Sequence, residues 1–140
     1  MKATVRPAGG SDAAGVLPLA RALATSFAVE EQAFHDSYDS LLASSAARLL
    51  VAEHGGAVVG YLLGFHHAAF FANGRVAWVE EIMVEESLRR QGVGAALMRE
   101  FEAWARTEEC RLVALATRRA RAFYAAIGYE ESALYFRKLL

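Results

Sequence analysis

The spacing of apolar positions changes several times along this chain, and each change marks an element. Ala3 to Arg6 reads as a short opening strand. Ser11 or Asp12 then caps a helix that carries Val16, Leu19, Ala20, Leu23 and Phe27 on one side. Pro18 lies inside that helix and either kinks it or marks a restart, because an interior proline loses a hydrogen bond and crowds the preceding turn. A second helix falls between Phe34 and Ala47. Leu49 to Glu53 and Val58 to Phe65 are apolar, β-rich runs joined by Gly55-Gly56, which suits the positive φ angles of a two-residue turn and predicts an antiparallel hairpin.

Ala68 to Gly74 reads as a loop and Val76 to Val84 as a long central strand. Val93 to Thr107 is an amphipathic helix with Leu97, Phe101 and Trp104 on one stripe and Arg99, Glu102 and Arg106 opposite. The fully apolar Leu112 to Ala116 suits a buried strand parallel to the central one. Arg118 to Ile127 forms a last helix closed by a left-handed Gly128, and Tyr129 to Leu139 a last strand or hairpin. The pattern is one mixed sheet with helices on both faces.

Composition narrows the field. A length of 140 residues predicts one domain, residues 1–140, and 55% hydrophobic against 22% charged residues argues for a packed core. A net charge of −1 lacks the basic surface that nucleic acid requires. The N-terminus has no signal-like apolar core and no stretch reaches bilayer-spanning length, so the expected setting is cytoplasmic with no membrane partner. Cys110 is the only cysteine, which excludes an internal disulfide and agrees with a reducing compartment. No Cys/His cluster has ligand spacing, so no metal is implied.

The chemistry gathers around Arg89-Arg90-Gln91-Gly92-Val93-Gly94-Ala95, set between the central strand and the amphipathic helix. Glycines there let backbone approach a ligand, and the first helical turn offers unpaired N–H groups and partial positive charge to an anion. Arg89 and Arg90 add full charges. No lysine follows the glycines as a P-loop requires, and Leu97 stands where a dinucleotide fingerprint wants glycine or alanine.

What remains is Arg-x-x-Gly-x-Gly entered from Glu80-Glu81-Ile82-Met83-Val84, with Ala120-Arg121-Ala122-Phe123-Tyr124-Ala125-Ala126-Ile127-Gly128-Tyr129 further on. Together these resemble the GCN5-related N-acetyltransferase (GNAT) family over most of the chain. The resemblance implies an α/β (α+β) three-layer α/β/α sandwich, its mixed, largely antiparallel sheet of about six to seven strands splayed at a central parallel pair. It implies acetyl-CoA as cofactor, lying in the cleft between Val76–Val84 and Leu112–Ala116. Backbone at Ile82, Met83 and Val84 would meet its thioester and pantetheine arm, and the loop from Arg89 to Ala95 its pyrophosphate.

Acetyl transfer to an amine needs a base, a polarised thioester carbonyl and a proton for the thiolate. A strand N–H near Ile82 or Met83 suits the carbonyl. Glu80 and Glu81 interrupt an apolar strand, and an apolar cleft makes a carboxylate a better base. Alternation turns them to opposite faces unless a bulge intervenes; pairing with Arg75 is the structural alternative. Glu80 is slightly favoured, since the pair resembles Glu-Asp in polyamine-type members. Tyr124 matches the family's general acid. Thr117 replaces an asparagine the family often has. Cys110 reads as structural, and His66 or His67 is a lesser candidate base.

Glu30, Glu31, Asp36 and Asp39 make the second helix region acidic, which suits a cationic acceptor or a solvated face. Phe70 and Phe71 suit an acceptor wall or, preferably, a homodimer contact. The expected protein is an N-acetyltransferase acting on a small cationic amine by direct attack in a ternary complex. Its alternatives are a lysine or N-terminal protein acetyltransferase and a non-catalytic acyl-CoA sensor.

Overall fold

The computed structural model describes residues 2–140. Five strands form one sheet in the order β1-β2-β3-β4-β5: β1 (Thr4–Pro7), β2 (Ala47–His54), β3 (Ala57–Ala69), β4 (Gly74–Val84) and β5 (Cys110–Leu115). The first four pair antiparallel, and β5 runs parallel to β4. Helices α1 (Ala13–Leu23) and α2 (Glu31–Ala43) cover one face, meeting Leu49, Val51 and Tyr61. Helices α3 (Val93–Thr107) and α4 (Arg121–Ala126) cover the other, where Leu97, Met98 and Phe101 pack on Leu50, Leu62, Ala77 and Val79. The result is the expected three-layer α/β/α sandwich with a mixed sheet.

Local chemistry accounts for most boundaries. Gly55 and Gly56 take φ of 60° and 79°, as the hairpin turn requires. Gly64 lies against the fully buried Phe101: a Cβ there would stand 2.4 Å from its ring, so only glycine lets α3 settle on β3. Helix α1 runs through Pro18 without a break and ends at Leu23, which leaves Phe27 in the α1–α2 loop rather than on the helix. Its start is fastened by Asp12, which accepts two hydrogen bonds from Arg6 (2.8 and 2.9 Å) and one from the Gly9 N–H (2.8 Å). Tyr38 of α2 donates to the Gly9 carbonyl at 2.7 Å, joining both helices to β1.

Several expectations are corrected. Among the described residues the sheet has five strands, not six to seven, because residues 129–140 form no strand. Tyr129 is tied back onto the helices, its N–H to the Tyr124 carbonyl and its hydroxyl to Glu102, and Arg137 further along lines a cavity on the α1–α2 face. The expected loop from Ala68 to Gly74 shrinks to a tight turn, Phe70 to Asn73, closed by the Asn73 N–H on the Phe70 carbonyl. Strand β5 is an edge strand; Leu112, in a register irregularity opposite Arg75–Ala77, is 40% exposed rather than buried. Helix α4 starts at Arg121, not Arg118, because Thr117 Oγ1 accepts the Ala120 N–H and holds a turn first.

Candidate functional site

Strand β4 changes its facing halfway along. Ala77 and Val79 point into the α3 core, and so do Ile82 and Val84, which strict alternation would send to the other side. One extra residue at Glu80 explains the switch, since Val79 pairs with Gly64 and Glu81 with the adjacent Leu63. A bulge of this kind bends the strand and increases its twist. The parallel ladder to β5 stops at the same place, Val79 opposite Leu115, so Glu80 to Val84 have no partner strand on that edge. Because β5 itself ends at Leu115, this edge of β4 is left open, with unpaired backbone along one side of a cleft.

Beyond the cleft a short 3-10 turn, Glu86–Leu88, leads into Arg89–Gly92 and the start of α3. Gly92 is the N-cap at φ 84°, a left-handed conformation that glycine adopts without strain, and having no side chain it cannot cap the helix. The first N–H groups of α3 therefore face outward uncapped, with the positive end of the helix dipole behind them. Nothing lies within 4 Å of where a Gly92 Cβ would be, so backbone is open to a ligand there. Gly94 serves packing instead: a Cβ on it would stand 3.3 Å from the Phe123 ring. Val93 is buried in the core, and only its backbone is available. Arg89 turns back on β4, its Nε donating to the Val84 carbonyl at 3.1 Å, whereas Arg90, at φ 63°, is exposed. Gln91 donates to the Ser87 carbonyl at 3.4 Å and braces the loop.

On the other side of β4 lies a cavity of about 630 Å³ between α1, α2 and the sheet. Glu81 lines it; Glu80 is exposed at the bulge and does not. The buried Tyr61 donates its hydroxyl to Glu81 Oε1 at 2.7 Å. Burial, together with the nearby carboxylate, pushes the Tyr61 hydroxyl far above the ordinary tyrosine value, so it remains a donor. This fixes one carboxylate oxygen and leaves the other free.

Tyr124 stands on α4 and packs in the α3 core with Phe123 and Tyr129 edge-to-face around it. The hydroxyls of Tyr38, Tyr61 and Tyr129 are committed to Gly9, Glu81 and Glu102. The Tyr124 hydroxyl is raised by burial alone.

Other candidates fall away from the cleft. His66 is held by Glu108 at 3.1 Å and stacked on Trp104, and His67 binds the Ala68 carbonyl; both lie toward the far end of β3. Arg75 pairs with Glu108, not with Glu80 or Glu81. Cys110 opens β5 opposite Arg75, at the end remote from the splay, its thiol pushed up by burial. Phe70 and Phe71, 103% and 77% exposed, occupy the β3–β4 turn and do not wall the cavity. Of the acidic residues near α2, Glu30 lines the cavity and Glu31, Asp36 and Asp39 do not. Tyr61 carries no sequence signal beyond being a tyrosine in an aliphatic strand, and Arg137 carries none.

These features suit a ligand with an anionic pyrophosphate and an arm laid along an open strand edge. The acetyltransferase (GNAT) family profile matches residues 18–129, and the chain belongs to that family. The family uses acetyl-CoA. The chain is similar to a transcriptional regulator from Bacillus halodurans C-125 (TM-score 0.89, 20% identity, covering 99% of this chain and 100% of that one). An acetyltransferase from Trypanosoma brucei is similar at TM-score 0.85 and 22% identity over 99% and 100% of the two chains. So is AAC(6')-Iy in complex with the bisubstrate analogue CoA-S-monomethyl-acetylneamine (TM-score 0.85, 19% identity, 100% of each chain). Among curated proteins the chain has no match. No helix among the described residues is long and apolar enough to cross a membrane.

Proposed function

We propose that the chain is one catalytic domain that transfers the acetyl group of acetyl-CoA to a primary amine by direct attack within a ternary complex. One observation carries this reading. Glu81 belongs both to the cavity wall and to the stretch of β4 that has lost its partner strand. Acceptor space, base and cofactor cleft thus meet at one residue.

Acetyl-CoA, when bound, supplies an activated acyl carbon. The remaining work falls to the chain. N–H groups from Gly92 to Ala95, with Arg90 beside them, hold the pyrophosphate. The free β4 edge at Ile82, Met83 and Val84 aligns the arm and offers an N–H to the thioester oxygen as charge develops on it. Glu81, steadied by Tyr61, takes the proton from the amine; its place in the cavity wall favours it over Glu80. Tyr124 holds a proton for the departing sulfur.

The test is thiol release from acetyl-CoA against a panel of amines, for wild type and Glu81→Gln. Amine-dependent release that Glu81→Gln suppresses supports the reading. Cofactor binding without turnover on any amine overturns it in favour of an acyl-CoA sensor.

A further inference from the structure

The cavity beside Glu81 is built from apolar side chains far more than its acidic surroundings suggest. Leu23, Phe27, Phe34, Leu41 and Leu63 contribute to its wall, and Phe27 stands 71% exposed in the α1–α2 loop. Phe34 meets Tyr38 at a ring separation of 5.6 Å, which makes one side aromatic. Among the described residues its carboxylates are Glu30 and Glu81 and its cation is Arg137. Such a site pairs a single ammonium with Glu81. A second ammonium would have only Glu30 and a third no carboxylate at all, and Arg137 would repel both. A polyhydroxylated body would find hydroxyl partners only at Thr25, Ser26 and Ser37 and lay the rest of its hydroxyl groups against hydrocarbon, whereas an aromatic body would bury Phe27.

We propose that the acceptor is a monoamine with an apolar, aromatic body, not a polyamine or an amino sugar. This rests on the reading of Glu81 as the base of an N-acetyltransferase. Calorimetry on the full chain saturated with CoA tests binding, using 2-phenylethylamine, spermidine and the aminoglycoside sisomicin as probes, and thiol release tests turnover. The expected result is at least about tenfold tighter binding of 2-phenylethylamine than of either polycation. Phe27→Glu, on an exposed loop, should weaken that binding by about tenfold, and Phe27→Leu should restore most of it. Tighter binding of spermidine or sisomicin, no binding of 2-phenylethylamine, or indifference to Phe27→Glu overturns the proposal. Binding of 2-phenylethylamine without turnover of any amine upholds it and defeats acetyl transfer instead. Turnover of another amine when 2-phenylethylamine does not bind does the reverse.

Discussion

The Tyr61 hydroxyl and Glu81 Oε1, 2.7 Å apart, join two residues twenty positions apart in sequence, on neighbouring strands. Because Tyr61 is buried and keeps its proton, Glu81 has a fixed orientation toward the cavity. Glu81→Gln is expected to lower kcat/KM by about 10²–10⁴-fold, the usual range for a general base. Glu80→Gln should change it little. Tyr61→Phe removes a hydrogen bond to a charged group, worth about 1.5–3 kcal/mol, and should lower kcat while the KM for acetyl-CoA stays put. Steady-state kinetics on the three variants checks the order; a larger loss in Glu80→Gln than in Glu81→Gln would reverse the assignment.

Tyr124 is expected to act from its protonated form. Burial raises its hydroxyl above the ordinary tyrosine value, so the protonated form persists further into alkaline solution and is lost only as pH climbs through that raised value. Wild-type kcat should therefore decline at high pH, and Tyr124→Phe should erase that decline. A free thiol ionises near ~8.5, so the sulfur leaves with modest help and the loss at neutral pH should be about 10²-fold or less. A pH–rate profile for both proteins decides; an unchanged profile removes Tyr124 from the chemistry.

Gly92→Ala places a Cβ in open space at a φ of 84°. Left-handed backbone costs a non-glycine residue about 1–2 kcal/mol, and the methyl stands before the uncapped N–H groups. Titration with CoA should show at least about tenfold weaker binding alongside a modest drop in Tm. Gly94→Ala presses on Phe123 instead, so its damage should appear in catalysis through α4 as well as in binding.

Asp12 gives the fold an acid-sensitive clasp. Its hydrogen bonds from Arg6 hold the carboxyl below the usual carboxylate range, so its folded pKa is depressed relative to the unfolded chain. The stability it contributes is present above the unfolded value, near ~3.9, and disappears as pH falls through the folded one. Chemical denaturation at pH 7, 5, 4 and 3 should show Asp12→Asn less stable at neutral pH and flatter toward acid than wild type. Parallel curves would remove Asp12 as the source.

Gly64→Ala should cost about 1–3 kcal/mol, the usual penalty for overpacking a core, because neither Phe101 nor the Trp78 carbonyl, 2.8 Å from the new Cβ, can yield freely. Equilibrium unfolding in urea measures it; a variant as stable as wild type would show that α3 shifts without strain.

Glycine placement and period told most of the fold in advance. Gly55-Gly56, Gly92 and Gly128 mark turns through their own backbone preference, and Leu97 and Phe101 declare the buried stripe of α3. The site was legible only where chemistry sits on contiguous residues, as in Gly92–Ala95. The facing of Glu80 and Glu81 turns on one unpaired residue, which appears only when β4 is set against β3. Tyr129 to Leu139 suggested a last strand or hairpin, but β-propensity is realised only against a partner ladder, and Leu134, Tyr135, Phe136 and Leu139 stay exposed. Tyr61 and Arg137 reach Glu81's cavity from distant parts of the chain, which no local pattern encodes.

The extra residue at Glu80 makes the fold one codon away from a straighter relative. Excising it would give Ala77 through Val84 an unbroken in-out rhythm and remove the bend where the parallel ladder to β5 ends. A regular strand and a bent one are thus separated by a single residue, and drift toward the tidier form would straighten β4 at the proposed base before it harmed the fold.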